Sequence, residues 1–455
     1  MEKQKKTYEI DMCNGPLLGK ILLFAVPLML SGILQLLFNA ADIIVVGRFV
    51  GHQALAAVGS TGALINLLIN VFIGLSVGTN VMVANYYGAG RYEQVRETVH
   101  TSILTSLLCG SALILLGVCL AGPLLSLMGT PDDVLNQAAL YMRIYFAGMP
   151  VIMLYNFGSA ILRAIGDTRR PLYFLLLAGI INVLLNLFFV MQLRLGVAGV
   201  ALATVLSQAV SAGLVTRTLM KSEGCFRLEL SRLKIHPERL RQMIRIGLPA
   251  GMQGAIFSIS NVLIQSSINS FGSVAMAGST ASSNIEGFVY TSMNAFHQTA
   301  ISFTSQNYGA GKLNRINRIL FLCLGCVTVV GLCMGNLAYC FGNRLLGIYS
   351  TDPTVISYGL IRMSYICVPY FLCGLMDVMV GSLRGMGYSI MPMLVSLTGA
   401  CGLRVLWIFT VFSWSRSLET LFFSYPVSWG ITAAVHLACY ILAMRKKRTL
   451  LAAQN

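Results

Sequence analysis

The feature that most constrains this chain is a succession of apolar runs, most of them 20 residues or longer, with the charged residues gathered in the gaps between them. Twelve such runs can be counted, at 21–46, 54–83, 98–121, 139–162, 172–192, 196–219, 243–269, 279–305, 318–341, 357–383, 391–413 and 420–444. A run of this length crosses the hydrocarbon of a bilayer as a helix, and these runs lack the period-two alternation of barrel strands. Inside a bilayer the backbone must satisfy its own hydrogen bonds, so the expected fold is all-α and polytopic. Composition agrees, with 56% hydrophobic and 11% charged residues, where a soluble domain carries roughly a quarter charged. The first run is too long for a cleaved leader and has no small-residue cleavage site, so the start of the chain is expected to remain in the mature protein.

The formal charge of +16 invites a nucleic-acid reading, but its distribution follows the membrane. With a cytoplasmic N-terminus, the inner segments hold Lys3, Lys5, Lys6, Lys20, Arg91, Arg96, Arg163, Arg169, Arg170, the basic run from Arg217 to Arg245, Lys312, Arg315, Arg318, Arg384 and Arg445 to Arg448. The outer loops hold only Arg48, Arg194, Arg344 and Arg416. This positive-inside bias places both termini in the cytoplasm and accounts for the charge without a polyanion partner. The cysteines fall mostly inside helices, as Cys109, Cys119, Cys333, Cys340 and Cys373 do. Cys323 and Cys326 form a C-x-x-C in the ninth run with no histidine or second pair nearby, which reads as packing.

The chain repeats itself. A shift of about 221 residues aligns Tyr87-Gly88-Ala89-Gly90-Arg91 with Tyr308-Gly309-Ala310-Gly311-Lys312, Leu162-Arg163-Ala164-Ile165-Gly166 with Leu383-Arg384-Gly385-Met386-Gly387, and Pro171 with Pro392. Pro27 to Gly32 matches Pro249 to Gly254 with a shift of 222. Each half has an even number of helices, so both enter the membrane from the same side, the parallel repeat of transporters that rock two bundles about a central site. The expected organisation is an N-terminal six-helix lobe over 1–220, a cytoplasmic linker over 221–242 and a C-terminal six-helix lobe over 243–455. Within the linker region, Leu228 to Leu240 could include a short amphipathic surface helix. The repeated glycine motifs read as turns and close helix approach, with direct gating as the alternative, and Arg163 and Arg384 can contact carbonyl ends or phosphate headgroups.

An ionisable residue in a span costs about 2.5 to 3.5 kcal/mol on insertion scales and is a functional candidate by default. Of the 16 acidic residues, only Asp42, Glu286 and Asp377 fall well within spans. Gln35 and Asn39 share the Asp42 face of helix one, and Asn182 and Asn186 share a face of helix five. Asn66 with Asn70 on helix two, and Asn261, Gln265 and Asn269 on helix seven, repeat the pattern. Such stripes line a wet cavity or glue helices together. In helix eight Glu286 is followed near one face by Tyr290, Asn294 and His297. Asp377 lies central in helix ten, and Arg404, the one basic residue read as deep in a span, lies in helix eleven. The two could form a buried pair, or Asp377 could titrate or contact a cation. There is no H-E-x-x-H and no Walker G-x-x-x-x-G-K-[ST], so an ion gradient rather than a nucleotide is the expected energy source.

Over nearly its whole length, from Pro27 to the twelfth run, the chain resembles the multidrug and toxic compound extrusion (MATE) family of the larger multidrug, oligosaccharidyl-lipid and polysaccharide exporter group. The likeness is carried by Asp42 with Val46-Gly47-Arg48, Gln306-Asn307-Tyr308-Gly309-Ala310-Gly311, Leu162-Arg163-Ala164-Ile165-Gly166-Asp167-Thr168 with Pro171, and Gly196-Val197-Ala198-Gly199-Val200-Ala201-Leu202-Ala203-Thr204. The resemblance implies a V-shaped pair of lobes around a large cavity, exchanging inward H⁺ or Na⁺ for outward export of amphipathic, often cationic, compounds. It implies a proton or cation site at Asp42, Asn182, Asn186 and Thr204, with Na⁺ at Asp42, Asn182 and Thr204 the metal reading. Asn186 stands where related members carry Asp, which leaves Asp42 as the site's only charge and tilts the coupling toward H⁺. Gln35, Asn39, Asn66, Asn70, Gln265, Glu286, Tyr290, Asn294 and Asp377 are candidates to line the cavity or touch substrate, together with Met153, Tyr155, Phe157 and Phe288. The expected protein is not an enzyme. It is a monomer in a bacterial cytoplasmic membrane, in contact with lipid, with no cofactor beyond the coupling ion and no nucleotide or nucleic-acid partner. A flippase for lipid-linked sugars, with a cavity rich in cationic side chains, and a non-transporting receptor or scaffold are the alternatives.

Overall fold

The computed structural model describes residues 8–452, so Lys3, Lys5 and Lys6 lie outside the described residues. Within them every regular element is helical, as the backbone constraint of a bilayer demands. The twelve long segments are α1 (Leu17–Phe49), α2 (His52–Gly88), α3 (Tyr92–Leu127), α4 in two arms (Asp132–Ala147 and Met149–Ala164), α5 (Arg169–Gln192), α6 (Val197–Lys221), α7 (Pro237–Asn269), α8 (Ser273–Gly309), α9 (Leu313–Cys340), α10 in two arms (Pro353–Ile366 and Phe371–Gly385), α11 (Ile390–Trp414) and α12 (Leu418–Ala452). Among the described residues nine of these are long and apolar enough to span by themselves, and the two bent pairs bring the number to 11. The remaining helix, α8, is 37 residues long but rich in Ser, Thr and Asn. It is buried along most of its length, and Ser279, Ser282, Ser292, Thr299 and Ser302 are among the side chains that protein surrounds.

The repeat seen in the sequence is a repeat of local geometry. Helices α2 and α8 are both 37 residues long and begin after a positive-φ glycine, Gly51 at 121° and Gly272 at 96°. They end in matching turns with Gly90 at φ 68° and Gly311 at 71°, a conformation that a Cβ would strain. The bend of 49° in α4 falls at Gly148, before Pro150, and that of 47° in α10 falls around Pro369, the position that matches Gly148.

Two compact units result, one comprising Met1–Gly15 and Val26–Ala255 and the other Pro16–Ala25 and Ile256–Asn455. The opening of α7 thus belongs to the first unit, and glycine explains why. Gly74 and Gly78 of α2 lie backbone to backbone against Gly247 and Gly251 of α7, two G-x-x-x-G spacings in direct contact. A Cβ on Gly247 would lie 2.6 Å from the Leu75 Cα and 2.7 Å from the Gly74 carbonyl oxygen, and one on Gly78 would lie 2.5 Å from the Met243 carbonyl oxygen. Gly74-Leu75-Ser76-Val77-Gly78 also spells the G-x-S-x-G of a hydrolase nucleophile turn, but it lies within a continuous helix. Ser76 spends its hydroxyl on the Ile73 carbonyl at 2.7 Å.

The connector between α6 and α7 carries a single short 3₁₀ turn, Leu230–Arg232, and α7 starts at Pro237, so a surface helix over Leu228 to Leu240 does not form. It is tied down by polar contacts within the first unit. His100 of α3 meets both backbone groups of Glu229, the Thr101 hydroxyl accepts from His236 N–H at 3.1 Å, and Arg239 reaches Glu97 at 2.9 Å and the Tyr86 hydroxyl at 2.6 Å.

The repeated Leu-Arg-x-x-Gly motifs form matching turns in different surroundings. Gly166 has φ 97° and Gly387 has φ 88°. The Ile10 backbone crosses directly over Gly166, where a Cβ would lie 2.5 Å from the Ile10 carbonyl oxygen, whereas nothing approaches Gly387. Asp167 beside the first turn is fully buried and hydrogen-bonded to Arg170; burial pushes its carboxyl up, against the opposing pull of that guanidinium. Arg384 is buried inside the second unit rather than turned toward headgroups. Alanine at Gly387 is expected to cost about 1–2 kcal/mol of backbone strain, and alanine at Gly166 more, because the crossing Ile10 backbone must also be displaced. Thermal unfolding of the two purified variants checks the order, and equal shifts would contradict it.

Candidate ion and substrate site

In the first unit the sequence candidates of helices one, five and six converge. Asp42 faces Asn186 and Thr204, accepting from the Asn186 Nδ2 at one carboxylate oxygen and from the Thr204 hydroxyl at the other, 3.4 Å away. Asn186 Nδ2 also donates to Asn182 Oδ1 at 3.3 Å, and Asn182 Nδ2 to the Thr204 hydroxyl at 3.5 Å, closing the group. Local sequence sets this up. Asn182 and Asn186 stand one turn apart on the regular part of α5, just before its last turn widens into a π-helix at Phe188–Gln192. Gly179 lacks the Cβ that would otherwise occupy the Phe38 ring, one turn before Asp42, so the edge of this α1 side chain sits against the α5 backbone. Asp42, Asn182 and Asn186 are all buried.

Asp42, Asn182 and Thr204 line a cavity of about 480 Å³, and Asn186 lies outside its wall. Gln35, Asn39 and Asn66 line it as well, whereas Asn70 packs beside Gly254, outside the lining. Tyr141 and Tyr145 of α4 supply an aromatic wall, stacked with ring centroids 6.1 Å apart. Sequence reasoning missed both, although their spacing of four on a helix that also bears polar residues was the available signal. Met153 and Phe157, expected near substrate, are fully buried in the packed interior, and the Tyr155 hydroxyl donates to the Pro171 carbonyl at 3.4 Å. Among the described residues Asp42 is the only formally charged side chain on the cavity wall, amid amides, hydroxyls, tyrosines and apolar groups. Among the described residues no group of three His, Cys, Asp or Glu side chains converges, so a cation at Asp42 would be held by one carboxylate and neutral oxygens.

The second unit treats its carboxylates differently. Glu286 is held by Arg362 of α10 in a two-pronged ion pair, with N–O distances of 2.8 and 2.9 Å. Ser282 donates to the same carboxylate at 2.8 Å, and Arg362 also donates to Ser279 at 2.7 Å. Arg404 is therefore not the only basic side chain deep in a span; Arg362 was missed because it stands only five residues after the start of the run read at 357–383, where a snorkelling side chain is the usual reading. No ion pair joins Asp377 to Arg404 among the described residues. Arg404 instead lies over the Tyr425 ring at 4.2 Å and the Trp429 ring at 5.4 Å and donates to Ser428 at 2.9 Å. Asp377 has the Tyr290 hydroxyl within hydrogen-bonding reach, Tyr290 in turn reaches Asn294, and the Asp377 carbonyl accepts from His297 Nδ1 at 2.6 Å. Gln265 donates to Asn269 of its own helix at 2.9 Å.

A family model described as MatE matches residues 27–188 and, a second time, residues 249–410, more than half of the chain in two copies of one pattern. The chain belongs to the MatE family. Its members, the MATE transporters, are multi-pass membrane proteins that move solutes and are not enzymes. A Bacillus subtilis protein described as probable multidrug resistance protein YoeA is 27% identical over 94% of this chain and 94% of its own length. A Shewanella oneidensis protein described as an FAD transporter is 25% identical, covering 94% of this chain and 95% of the relative. Among solved structures, the outward-facing conformation of a multidrug resistance MATE family transporter superposes with a TM-score of 0.90 at 22% identity, over 97% of this chain and 100% of that one. This MATE protein thus has the two-lobed fold of the family.

The Glu286–Arg362 pair yields a test of burial. Removing either charge alone, by Glu286→Gln or Arg362→Met, leaves the other buried without its counterion and is expected to cost about 3–5 kcal/mol. The double variant should recover a large part of that loss in thermal unfolding, and simple additivity of the single effects would contradict the pairing.

Proposed function

We propose that this transporter exports amphipathic, cationic compounds in exchange for H⁺, with Asp42 as the group that carries the coupling proton. The observation that carries the reading is the placement of Asp42. Among the described residues it is the one charged side chain of a cavity whose other walls are amides, hydroxyls, aromatic rings and apolar groups, a lining that suits an organic cation.

The hydrogen bonds supply a coupling route. The ionised carboxylate is acceptor-only, matched by the Asn186 amide N–H and the Thr204 hydroxyl. Once protonated, the carboxyl becomes a donor and needs an acceptor. Asn186 Oδ1 is buried without a hydrogen-bond partner, and a half-turn of that amide presents it to Asp42. Arrival of a proton therefore exchanges donor for acceptor at the contact between α1 and α5 and removes the charge that holds a cationic substrate. Substrate and proton then favour opposite states of one site, the differential affinity that antiport requires. Loss of the Asp42 charge is the event that repositions α1, with the interior Pro27 as the natural point of bending.

Na⁺ is the second coupling ion to weigh, since Asp42, Asn182 and Thr204 offer it oxygens. Only one carboxylate is present there, and a single negative charge favours the proton. A lipid-linked sugar flippase finds no support in this cavity, which has no basic side chain on its wall, or in Arg362, which Glu286 neutralises. The positive-inside bias of the loops supports a cytoplasmic position for both termini.

Proteoliposomes under an imposed pH or Na⁺ gradient test the reading. Asp42→Asn is expected to lower gradient-driven export of an organic cation at least about tenfold, the equivalent of about 1.4 kcal/mol, with little change in thermal stability. Asn186→Asp, which adds the second carboxylate, is expected to make export respond to Na⁺. Export that continues undiminished in the Asp42 variant would remove Asp42 from the coupling role.

A further inference from the structure

A pocket in the second unit shows where the two halves of the repeat part company in charge. Its cavity, of about 680 Å³, lies between the start of α9 and the end of α12 and is lined by Lys312, Arg315, Arg318 and Arg448, with Asn314 among them and, among the described residues, no acidic side chain on its wall. The register that aligns Gly88-Ala89-Gly90 with Gly309-Ala310-Gly311 places Asn314 at the position of Glu93, Arg315 at that of Gln94 and Arg318 at that of Glu97. In the first half those acids are in use: Glu93 stands in the first turn of α3, and Glu97 binds Arg239 at 2.9 Å beside the connector. The second half has no acid in the first turn of α9, and an arginine replaces the connector's anchor. The start of α9 thus presents a positive helix end, amplified by four basic side chains, where its counterpart carries its own negative charges.

One contact crosses the pocket and two more join α8, α9 and α12 beside it. Arg448 donates to Asn314 at 3.3 Å, the Tyr440 hydroxyl donates to Asn317 at 2.8 Å, and Lys447 lies over the Tyr308 ring at 5.0 Å. Both α9 and α12 are apolar enough to span, so their meeting ends lie at a membrane surface. Directly below the basic side chains, toward the membrane interior, exposed apolar groups stand on the same faces: Phe321 three residues after Arg318 and Ile441 seven before Arg448, 68% and 42% exposed. A soluble phosphate would use the cations alone. A phosphodiester carrying acyl chains uses both features.

We infer that this pocket holds the phosphate group of an anionic membrane lipid, with its acyl chains lying along α9 and α12 beside Phe321 and Ile441. The lipid supplies to the second half the negative charge that Glu93 and Glu97 supply to the first, and fastens the end of α12 to α9. The inference is independent of Asp42 and of the coupling ion.

Native mass spectrometry of the full chain in detergent tests it, with short-chain phosphatidylglycerol, short-chain phosphatidylcholine and inorganic phosphate as the probes. Phosphatidylglycerol is expected to bind in preference to phosphatidylcholine. Arg318→Gln with Arg448→Gln is expected to weaken that binding by about 30-fold, from roughly fivefold for each basic side chain near the surface. Lysine at the same two positions should retain binding, and Arg344→Gln, four residues beyond the other end of α9, should leave it unchanged. Thermal unfolding of the glutamine variant confirms that it is folded. Equal retention of the two lipids, or binding undiminished in the folded glutamine variant, would overturn the inference. Displacement of phosphatidylglycerol by inorganic phosphate at comparable concentration would overturn the assignment to lipid and leave a soluble phosphate as the ligand.

Discussion

Inside a bilayer there is no water to take up an unmatched polar group, and each polar side chain that this protein keeps there has to be answered by another. Glu286 is answered by the guanidinium of Arg362 and a serine hydroxyl, and Asp42 by one amide and one hydroxyl. The difference between these solutions decides what each can do. A full counterion with matched geometry stabilises one ionisation state and holds it. Neutral donors leave the carboxylate within reach of a second state, which is the condition for carrying an ion in and giving it up again.

The halves therefore share a scaffold and divide the chemistry. Both begin their second helix after a positive-φ glycine, end it in the same glycine turn and bend their fourth helix at matched positions. Asp42 is matched in the second half by Ile264, and Glu97 by Arg318. Duplication supplied two copies of a helical frame whose glycine and proline positions must be kept for geometric reasons. Side chains facing cavities or headgroups carry no such obligation and have diverged.

Much of this was legible in the residues. Run length and the lack of period-two alternation dictate helices, and the register of the glycine turns reveals the repeat. The spacing of Asn182 and Asn186 puts both amides on one face, and their meeting with Asp42 and Thr204 in space is what the resemblance implied. What stayed hidden depends on rotation about helix axes and on contacts between distant segments. Arg362, near the start of an apolar run, gives no sign that it turns inward to Glu286, and Arg404 and Asp377 look like partners until the rings of Tyr425 and Trp429 are found under the guanidinium. Gly74, Gly78, Gly247 and Gly251 are four among 44 glycines, and nothing in composition singles out those that touch.

Their contact bears on how the chain could have arisen. Backbone lies against backbone there, so no side chain can repack to fill the space if the opening of α7 is withdrawn from α2. A half-length ancestor would have had no α7 within its own chain, and its α2 would have been left with a bare glycine face. A second copy could cover that face by lending its own first helix, an exchange of like segments between two molecules. In the present chain the connector carries that helix across covalently, so α7 opens in the first unit and ends in the second. A protein cut into its two halves would have to rebuild that trade before either half was complete.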